Sequence, residues 1–97
     1  MLTSKERSNL RAVAANIEPI TQVGKNGVNE SLIESLDSAI EKRELIKVTV
    51  LENSGLIVKE AGIEIAEKLG AEFVCAIGRK LVFYRRSKSE KVKHIEF

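Results

Sequence analysis

The hydrophobic residues of the chain follow two different spacings, which alternate along its length. Residues 4–15, 30–42 and 56–69 carry apolar side chains at three- and four-residue steps, which predicts amphipathic helices. Residues 19–23, 45–51, 72–77 and 81–85 are rich in β-branched residues or alternate apolar with polar positions, which predicts strands. The order αβαβαββ predicts an α+β fold, an α/β two-layer arrangement of three helices packed on a four-stranded mixed sheet.

Residues at the ends of these segments support their boundaries. The run Thr3-Ser4-Lys5-Glu6 has the form of a capping box for the first helix, and Asn29 has the position of an N-cap for the second. Because a helix separates the first two predicted strands, we expect those strands to be parallel. Gly78-Arg79-Lys80 predicts a short hairpin loop between the last two strands.

Composition limits the organisation of the chain. Its 97 residues, 43% of them hydrophobic, suffice for one domain, which we assign to residues 1–86. No apolar run approaches the roughly 18 residues of a membrane span, and the first residues lack the apolar stretch of a secretion signal. We therefore expect a cytoplasmic protein with no membrane partner. The single cysteine excludes an internal disulfide and a multi-cysteine zinc site, and no metal or cofactor is predicted.

Charge is distributed unevenly along the chain. Between residues 28 and 72 ten acidic residues stand against five basic ones, whereas between residues 79 and 94 seven basic residues stand against Glu90 alone. Such segregation predicts one surface for a polyanion and another that faces solvent. Residues 87–97, polar and without a hydrophobic period, are predicted to form a basic, flexible tail.

The basic turn between the first predicted strand and the second helix is the most informative stretch. Gly24 and Gly27 permit positive φ angles and leave backbone N–H groups uncovered, and between them Lys25 and Asn26 supply a cation and an amide. The N-terminus of the following helix adds the positive end of its dipole. The combination favours an anion such as a phosphate, although a Gly-x-x-Gly sequence by itself is equally compatible with a plain tight turn.

Seven further basic residues would extend such a contact. They are Lys5, Arg7 and Arg11 on the first helix, and Arg79, Lys80, Arg85 and Arg86 around the last strand. If the first strand lay at the centre of the sheet, the loop, Arg7 and Arg11 would share one edge. The alternative for each of these residues is an ordinary solvated charge.

The sequence lacks the residues of a catalytic centre. His94, the only histidine, lies in the predicted tail, and Cys75 lies in mid-strand, where we interpret it as a small core residue. The loop lacks the Gly-x-x-x-x-Gly-Lys-Ser/Thr spacing of a P-loop. With three phenylalanines, one tyrosine and no tryptophan, no stacking platform for bases is predicted. We expect a protein that is not an enzyme and that contacts nucleic acid through phosphate, sugar and shape.

Four ordered blocks of the sequence carry a resemblance to a known family. They are Leu2-Thr3-x-Lys5-x-Arg7-x-x-Leu10-Arg11, Pro19-Ile20-x-Gln22-Val23-Gly24-Lys25-x-Gly27, Glu44-Leu45-Ile46-Lys47-Val48 and Ile77-Gly78-x-x-Leu81-Val82-x-Tyr84-Arg85. Together they resemble the YhbY-like proteins, bacterial stand-alone members of the CRM (chloroplast RNA splicing and ribosome maturation) domain family. The resemblance implies an RNA-binding domain similar in fold to the C-terminal domain of a bacterial translation initiation factor. It also implies that Gly24 to Gly27 match the family's RNA-contacting loop, and that the protein associates with precursors of the large ribosomal subunit.

The resulting hypothesis is a monomeric, cytoplasmic protein that binds ribosomal RNA in large-subunit precursors and acts as an assembly factor. Two alternatives stay open at this point. The acidic helix faces could dock a basic ribosomal protein, so that RNA contact is incidental, or the loop could bind a small phosphorylated ligand.

Overall fold

The computed structural model describes residues 2–89 and 91–97 and contains the predicted elements in the predicted order. They are α1 (Ser4–Ala14), β1 (Thr21–Val23), α2 (Glu30–Arg43), β2 (Leu45–Val50), α3 (Val58–Leu69), β3 (Glu72–Ile77) and β4 (Lys80–Tyr84), with a short 3-10 helix at Glu52–Ser54. Each boundary lies within two residues of its prediction. Met1 and Glu90, the latter counted above in the charge of the C-terminal part, lie outside the described residues.

The sheet is mixed, with the strand order β1-β2-β4-β3. β1 runs parallel to β2, with Val23 opposite Val50, as expected for two strands joined by a helix. β4 pairs antiparallel with both β2 and β3. β1 is therefore an edge strand, so the arrangement that would have brought the loop, Arg7 and Arg11 to one edge does not occur.

Helices cover both faces of the sheet. The larger core contains Val48, Val50, Leu81 and Phe83 and receives α2 and α3. The smaller core contains Leu45, Val74, Val82 and Tyr84 and receives Leu10 and Ala14 of α1. The three helices and the mixed sheet are confirmed, but α1 lies on the face opposite α2 and α3, because β2 and β4 carry apolar side chains on both sides.

Gly62 lets α3 approach the sheet closely. A Cβ atom at this position would lie 2.6 Å from Cζ of Phe73, whose ring packs against Phe83 at a centroid distance of 5.7 Å. This contact explains a glycine in the middle of a helix, where it costs about 1 kcal/mol relative to alanine.

The segment after Arg86 contacts the domain, which differs from the flexible tail that the sequence predicts. Its anchor is the carboxylate of Glu44, which is fully buried. This carboxylate accepts hydrogen bonds from the backbone N–H groups of Ser87 at 2.6 Å and Ile95 at 2.7 Å, and contacts Nδ1 of His94 at 2.5 Å. Phe97 packs edge-on against Tyr84. The hydrophobic pattern did not predict this docking, because two of the contacts are made by backbone N–H groups, which do not depend on the kind of side chain.

The carboxylates that hold this segment are stabilised in their charged form. Burial acts to raise the pKa of Glu44, but the hydrogen bonds from His94, Ser87 and Ile95 outweigh it and hold the pKa below its ordinary value of 4.5. The backbone N–H of Lys88 and the hydroxyl of Ser87 lower the pKa of Glu41 in the same way. A carboxylate whose pKa is lowered by folding contributes stability above its unfolded pKa and loses it as the pH falls through the folded value.

We therefore expect acid to release the C-terminal segment. Its docking should be complete above pH 4.5, the ordinary pKa of both groups, and should be lost progressively below it. The measurement is amide hydrogen exchange at Ser87 and Ile95, together with the fluorescence of Tyr84, the only tyrosine in a chain without tryptophan.

Glu44→Gln keeps the shape of the side chain but removes its charge. It should weaken the docking already at neutral pH, lower the free energy of unfolding by about 1–3 kcal/mol and flatten the pH dependence. Glu67→Gln, an exposed position on α3, is the matched control and should change none of these three properties. Protection at Ser87 and Ile95 that persisted in acid while the rest of the fold stayed intact would contradict the assignment.

Candidate nucleic-acid interface

Three turns meet at one end of the sheet. β1 and β2 are parallel, so the loop that follows Val23 and the turn that follows Val50 leave the sheet on the same side. Thr49 pairs with Lys80, the first residue of β4, which places the hairpin turn Gly78-Arg79 at this end as well. The topology thus brings Lys25, Arg79 and Lys80 to one end of the sheet.

The loop itself, Gly24–Lys25–Asn26–Gly27, is a tight turn, called here the GKNG loop. The backbone N–H of Gly27 donates to the carbonyl oxygen of Gly24 at 3.0 Å, which is the closing hydrogen bond of a β-turn. Lys25 and Asn26 occupy its two central positions, and both side chains are exposed. The turn therefore presents a cation and an amide side by side to solvent.

The two glycines of the loop have different reasons for being glycine. Gly27 has a φ of +67°, in the left-handed region that favours glycine. Gly24 has no positive φ, and a Cβ added to it would lie 3.6 Å from Cδ1 of Leu51, an ordinary van der Waals distance. The expectation of positive φ angles thus holds for Gly27 only, and the fold does not require a glycine at position 24.

The N-terminus of α2 lies directly behind the loop. Asn29 caps the helix as predicted: its Oδ1 accepts the backbone N–H of Leu32 at 2.8 Å. Val28 and Ile33 flank this cap and pack against the larger core, which fixes the direction in which the chain enters the helix. A cavity of about 380 Å³ lies between the loop and the first turns of α2, with Thr21, Gln22 and Ser31 also in its lining.

Arg79 braces the sheet end that carries the loop. Its Nε donates to the carbonyl oxygen of Val50 at 2.8 Å and its Nη2 to that of Leu51 at 2.9 Å. Leu51 in turn donates its backbone N–H to the carbonyl oxygen of Val23 at 3.0 Å. Arg79 therefore keeps its charge near the loop while two of its donors are engaged. Lys80, the next residue, is exposed.

The basic residues of α1 lie near the opposite edge of the sheet. Nη1 of Arg7 donates to the carbonyl oxygens of Phe73, at 2.5 Å, and Val74, at 3.1 Å, where β3 has an irregular register. Lys5 and Arg11 are exposed. β1 and β3 are separated by two strands, which corresponds to about 14 Å across the sheet. Lys5, Arg7 and Arg11 therefore do not join the GKNG loop in one compact site.

Arg85 and Arg86 lie at the far end of the sheet, about 17 Å from Lys80 along β4. The guanidinium of Arg85 contacts Oδ1 of Asp37 at 2.7 Å and Oε2 of Glu41 at 3.1 Å, and it also donates to the carbonyl oxygen of Leu69. Its charge is thus compensated within the fold. Arg86 is exposed.

Two polar residues next to the loop, Gln22 and Thr49, were not singled out by sequence reasoning as part of the site, although Lys80 beside them was. Gln22 pairs with Thr49, and Thr49 pairs with Lys80, so the three side chains lie side by side on the α1 face of the sheet. Gln22 is exposed and Thr49 half-buried. The sequence signal that would have found Thr49 is its alternation with the buried residues Val48 and Val50.

Other features of the described residues bear on alternative chemistry. Burial raises the pKa of the Cys75 thiol, although Arg11, Arg7 and Lys47 act in the opposite direction, so thiolate formation is disfavoured. Among the residues that the structure describes, no group of three or more His, Cys, Asp or Glu side chains could hold a metal ion. None of the helices in that part of the chain is long and apolar enough to cross a membrane.

Comparisons with known proteins agree with this architecture. The chain is similar to "Probable RNA-binding protein YqeI" of Bacillus subtilis (strain 168), with 40% identity over 94% of this chain and 95% of the relative. It is 31% identical to a Haemophilus influenzae protein named "RNA-binding protein", over 95% of this chain and 93% of that one. A solution structure from Staphylococcus aureus, of a hypothetical protein described as an RNA-binding candidate, superposes with a TM-score of 0.76 and 42% identity, covering 94% of this chain and 95% of the other.

A family model provides the most direct assignment. The model described as "CRS1 / YhbY (CRM) domain" matches residues 2–85, which include α1, all four strands and the GKNG loop. The resemblance found in the four sequence blocks is thereby confirmed, and this chain belongs to the CRS1/YhbY (CRM) domain family.

Proposed function

We propose that this protein binds structured RNA through the GKNG loop and acts, without catalysing a reaction, on ribosomal RNA in precursors of the large ribosomal subunit. The observation that carries the proposal is the exposed pair Lys25 and Asn26 at the centre of a closed turn, immediately before the N-terminus of α2. The names of the relatives from Bacillus subtilis and Haemophilus influenzae support RNA as the partner. In this proposal the protein acts as a monomer in the cytoplasm, without a cofactor.

The chemistry of the loop suits a phosphate of the RNA backbone. The ammonium group of Lys25 supplies charge, the amide of Asn26 donates to a phosphate oxygen or a 2′-hydroxyl, and the helix dipole favours an anion at this position. Gly24 adds to the argument because the fold would accept a side chain there. A glycine that the backbone does not need is explained if RNA approaches the main chain closely at that point.

The surrounding charges define the extent of the contact. Lys80 and Arg79 lie at the loop end of the sheet, and Lys5 and Arg11 offer exposed charge on α1 for a second, separate contact. Arg7 contributes less to the RNA contact because its guanidinium donates to two carbonyl oxygens. Arg85 is not part of the proposed contact because two carboxylates compensate its charge. Arg86 lies far from the loop.

About four neutralised phosphates would give a slope of log K against log salt near −3, using the single-strand coefficient.

A protein-docking function is the second candidate, supported by the outer faces of α2 and α3. Glu34, Glu60 and Glu67 are exposed there, and Ile63 is 45% exposed among them. Such a surface fits a basic protein segment better than RNA. In this alternative Glu34→Lys/Glu67→Lys abolishes association with ribosomal particles, whereas changes in the GKNG loop leave it intact.

The loop can be tested with the double variant Lys25→Ala/Asn26→Ala and fragments of large-subunit ribosomal RNA over a salt series. We expect affinity to fall about tenfold or more and the salt slope to become shallower by about one, because one phosphate contact is lost. Lys59→Ala, which removes an exposed lysine from α3, is the charge-matched control and should bind like the wild type. Unchanged affinity and slope in the folded loop variant would exclude the loop as the RNA contact.

The ribosomal target needs a separate measurement. Sedimentation of cell extracts should place the wild type with precursors of the large subunit and Lys25→Ala/Asn26→Ala at the top of the gradient. Equal binding of large-subunit, small-subunit and unrelated structured RNAs would retain RNA binding but contradict the ribosomal assignment.

Substitutions at the two loop glycines should separate effects on folding from effects on RNA binding. Gly27→Ala should lower the free energy of unfolding by about 1–2 kcal/mol, because alanine is strained at positive φ, and Gly27→Asn should recover part of this loss. Gly24→Ala should unfold at the same urea concentration as the wild type and yet bind RNA more weakly. A Gly24→Ala protein with wild-type affinity would show that no close backbone approach occurs there.

A further inference from the structure

The α1 face of the sheet is covered only in part. α1 packs its buried residues Leu10 and Ala14 into the smaller core, which includes Leu45, Val82 and Tyr84. The row formed by Gln22, Thr49 and Lys80 lies on the same face but closer to the GKNG loop, and there Gln22 and Lys80 are exposed and Thr49 is half-buried. This part of the sheet therefore presents polar side chains where α1 does not reach.

Two cavities meet at the start of this row. One, of about 380 Å³, is the cavity at the GKNG loop. The other, of about 560 Å³, is lined by Pro19, Ile20, Thr21, Gln22 and Thr49. Thr21 and Gln22 line both, so the two cavities adjoin at β1. Its volume lies in the range of small-molecule sites, about 300–1,000 Å³.

We propose that this second cavity receives one unpaired nucleotide of the RNA whose phosphate lies at the GKNG loop, and that Gln22 reads the base. The proposal rests on the function proposed above, and it adds a specificity-determining residue to a contact that otherwise recognises only phosphate and sugar. Gln22 lies three residues before Lys25, at most about 11 Å away along the chain, so neighbouring groups of one RNA strand can reach both.

The side chains around the cavity suit a base more than a second phosphate. The amide of Gln22 offers a donor and an acceptor together, which is the pattern that pairs with a base edge, adenine being its commonest partner. The hydroxyl of Thr49 can act as donor or acceptor beside it. Pro19 and Ile20 provide an apolar wall for the face of the base. Lys80, paired with Thr49, supplies the cation for the adjoining phosphate or sugar.

The recognition follows from hydrogen bonding and not from stacking. The five residues that line the cavity include no aromatic side chain. Discrimination between bases should therefore depend on the amide of Gln22, whereas the total affinity should depend on Lys25. Proteins recognise the base sequence of RNA mainly at unpaired nucleotides, because the edges of their bases are free to form hydrogen bonds.

The test uses the whole chain and four structured RNAs that are identical except for the kind of one unpaired base, measured over a salt series. We expect the wild type to prefer one base, and Gln22→Ala to lose that preference, with a fall in affinity of about 5- to 100-fold for the preferred RNA only. The salt slope should stay unchanged, because no phosphate contact is removed. Gln22→Glu, of similar size and without the N–H donors, should shift the preference instead of restoring it.

Two further variants complete the design. Thr49→Val, nearly identical in shape, should reduce the preference by a smaller factor. Lys25→Ala should weaken binding of all four RNAs equally and make the slope shallower, which is the opposite signature. Circular dichroism and urea unfolding establish that each variant is folded; Gln22 is exposed on a short edge strand, so its replacement should cost the fold little.

The outcomes are distinguishable. If Lys25→Ala leaves binding unchanged, the proposed function itself fails. If Lys25→Ala acts as expected but the wild type shows no base preference, or Gln22→Ala keeps it, the loop is an RNA clamp and the base-reading role of Gln22 is overturned.

Discussion

The parallel pairing of β1 with β2 holds the GKNG loop and Gln22 in place against the rest of the sheet. β1 has only three residues, but two backbone hydrogen bonds extend its pairing with β2. The N–H of Ile20 donates to the carbonyl oxygen of Lys47 at 2.8 Å, and the N–H of Leu51 donates to the carbonyl oxygen of Val23 at 3.0 Å. This short ladder holds the GKNG loop beside the hairpin turn and Gln22 beside Thr49. The site thus depends on an edge strand that the rest of the sheet keeps in register.

The two faces of the sheet differ in the charged side chains that they carry. On the α2 side, carboxylates face solvent or hold structure: Asp37 and Glu41 bind Arg85, which also contacts Leu69 at the end of α3. On the α1 side, Lys80 and Arg11 are exposed and Lys47, although buried, donates to the carbonyl oxygen of Ile17. Under the proposed function, this distribution would favour the approach of RNA from the α1 side.

Sequence reasoning accounts for the local elements and for the loop, but not for contacts between distant residues. Caps, glycines and hydrophobic periods are visible within a few residues, so the N-cap Asn29 and the loop were predictable. The parallel pair was predictable because a helix separates its two strands. The edge position of β1, the pairing of Arg85 with Asp37 and the burial of Glu44 depend on contacts between residues more than twenty positions apart. The hydrophobic period of the sequence carries no information on these long-range contacts. For this reason Arg85 was predicted to contact RNA, and residues 87–97 were predicted to form a flexible tail.

The contact of Arg7 with β3 has a consequence for the protein in concentrated solution. β3 is the edge strand opposite β1, and an open edge strand invites a second molecule to extend the sheet by backbone hydrogen bonding. The guanidinium of Arg7 occupies the carbonyl oxygens of Phe73 and Val74, and the register irregularity between Phe73 and Cys75 interrupts the regular ladder there. At the other edge, β1 is short and preceded by Pro19. Both features make the margins of the sheet poorer templates for extension by a second molecule.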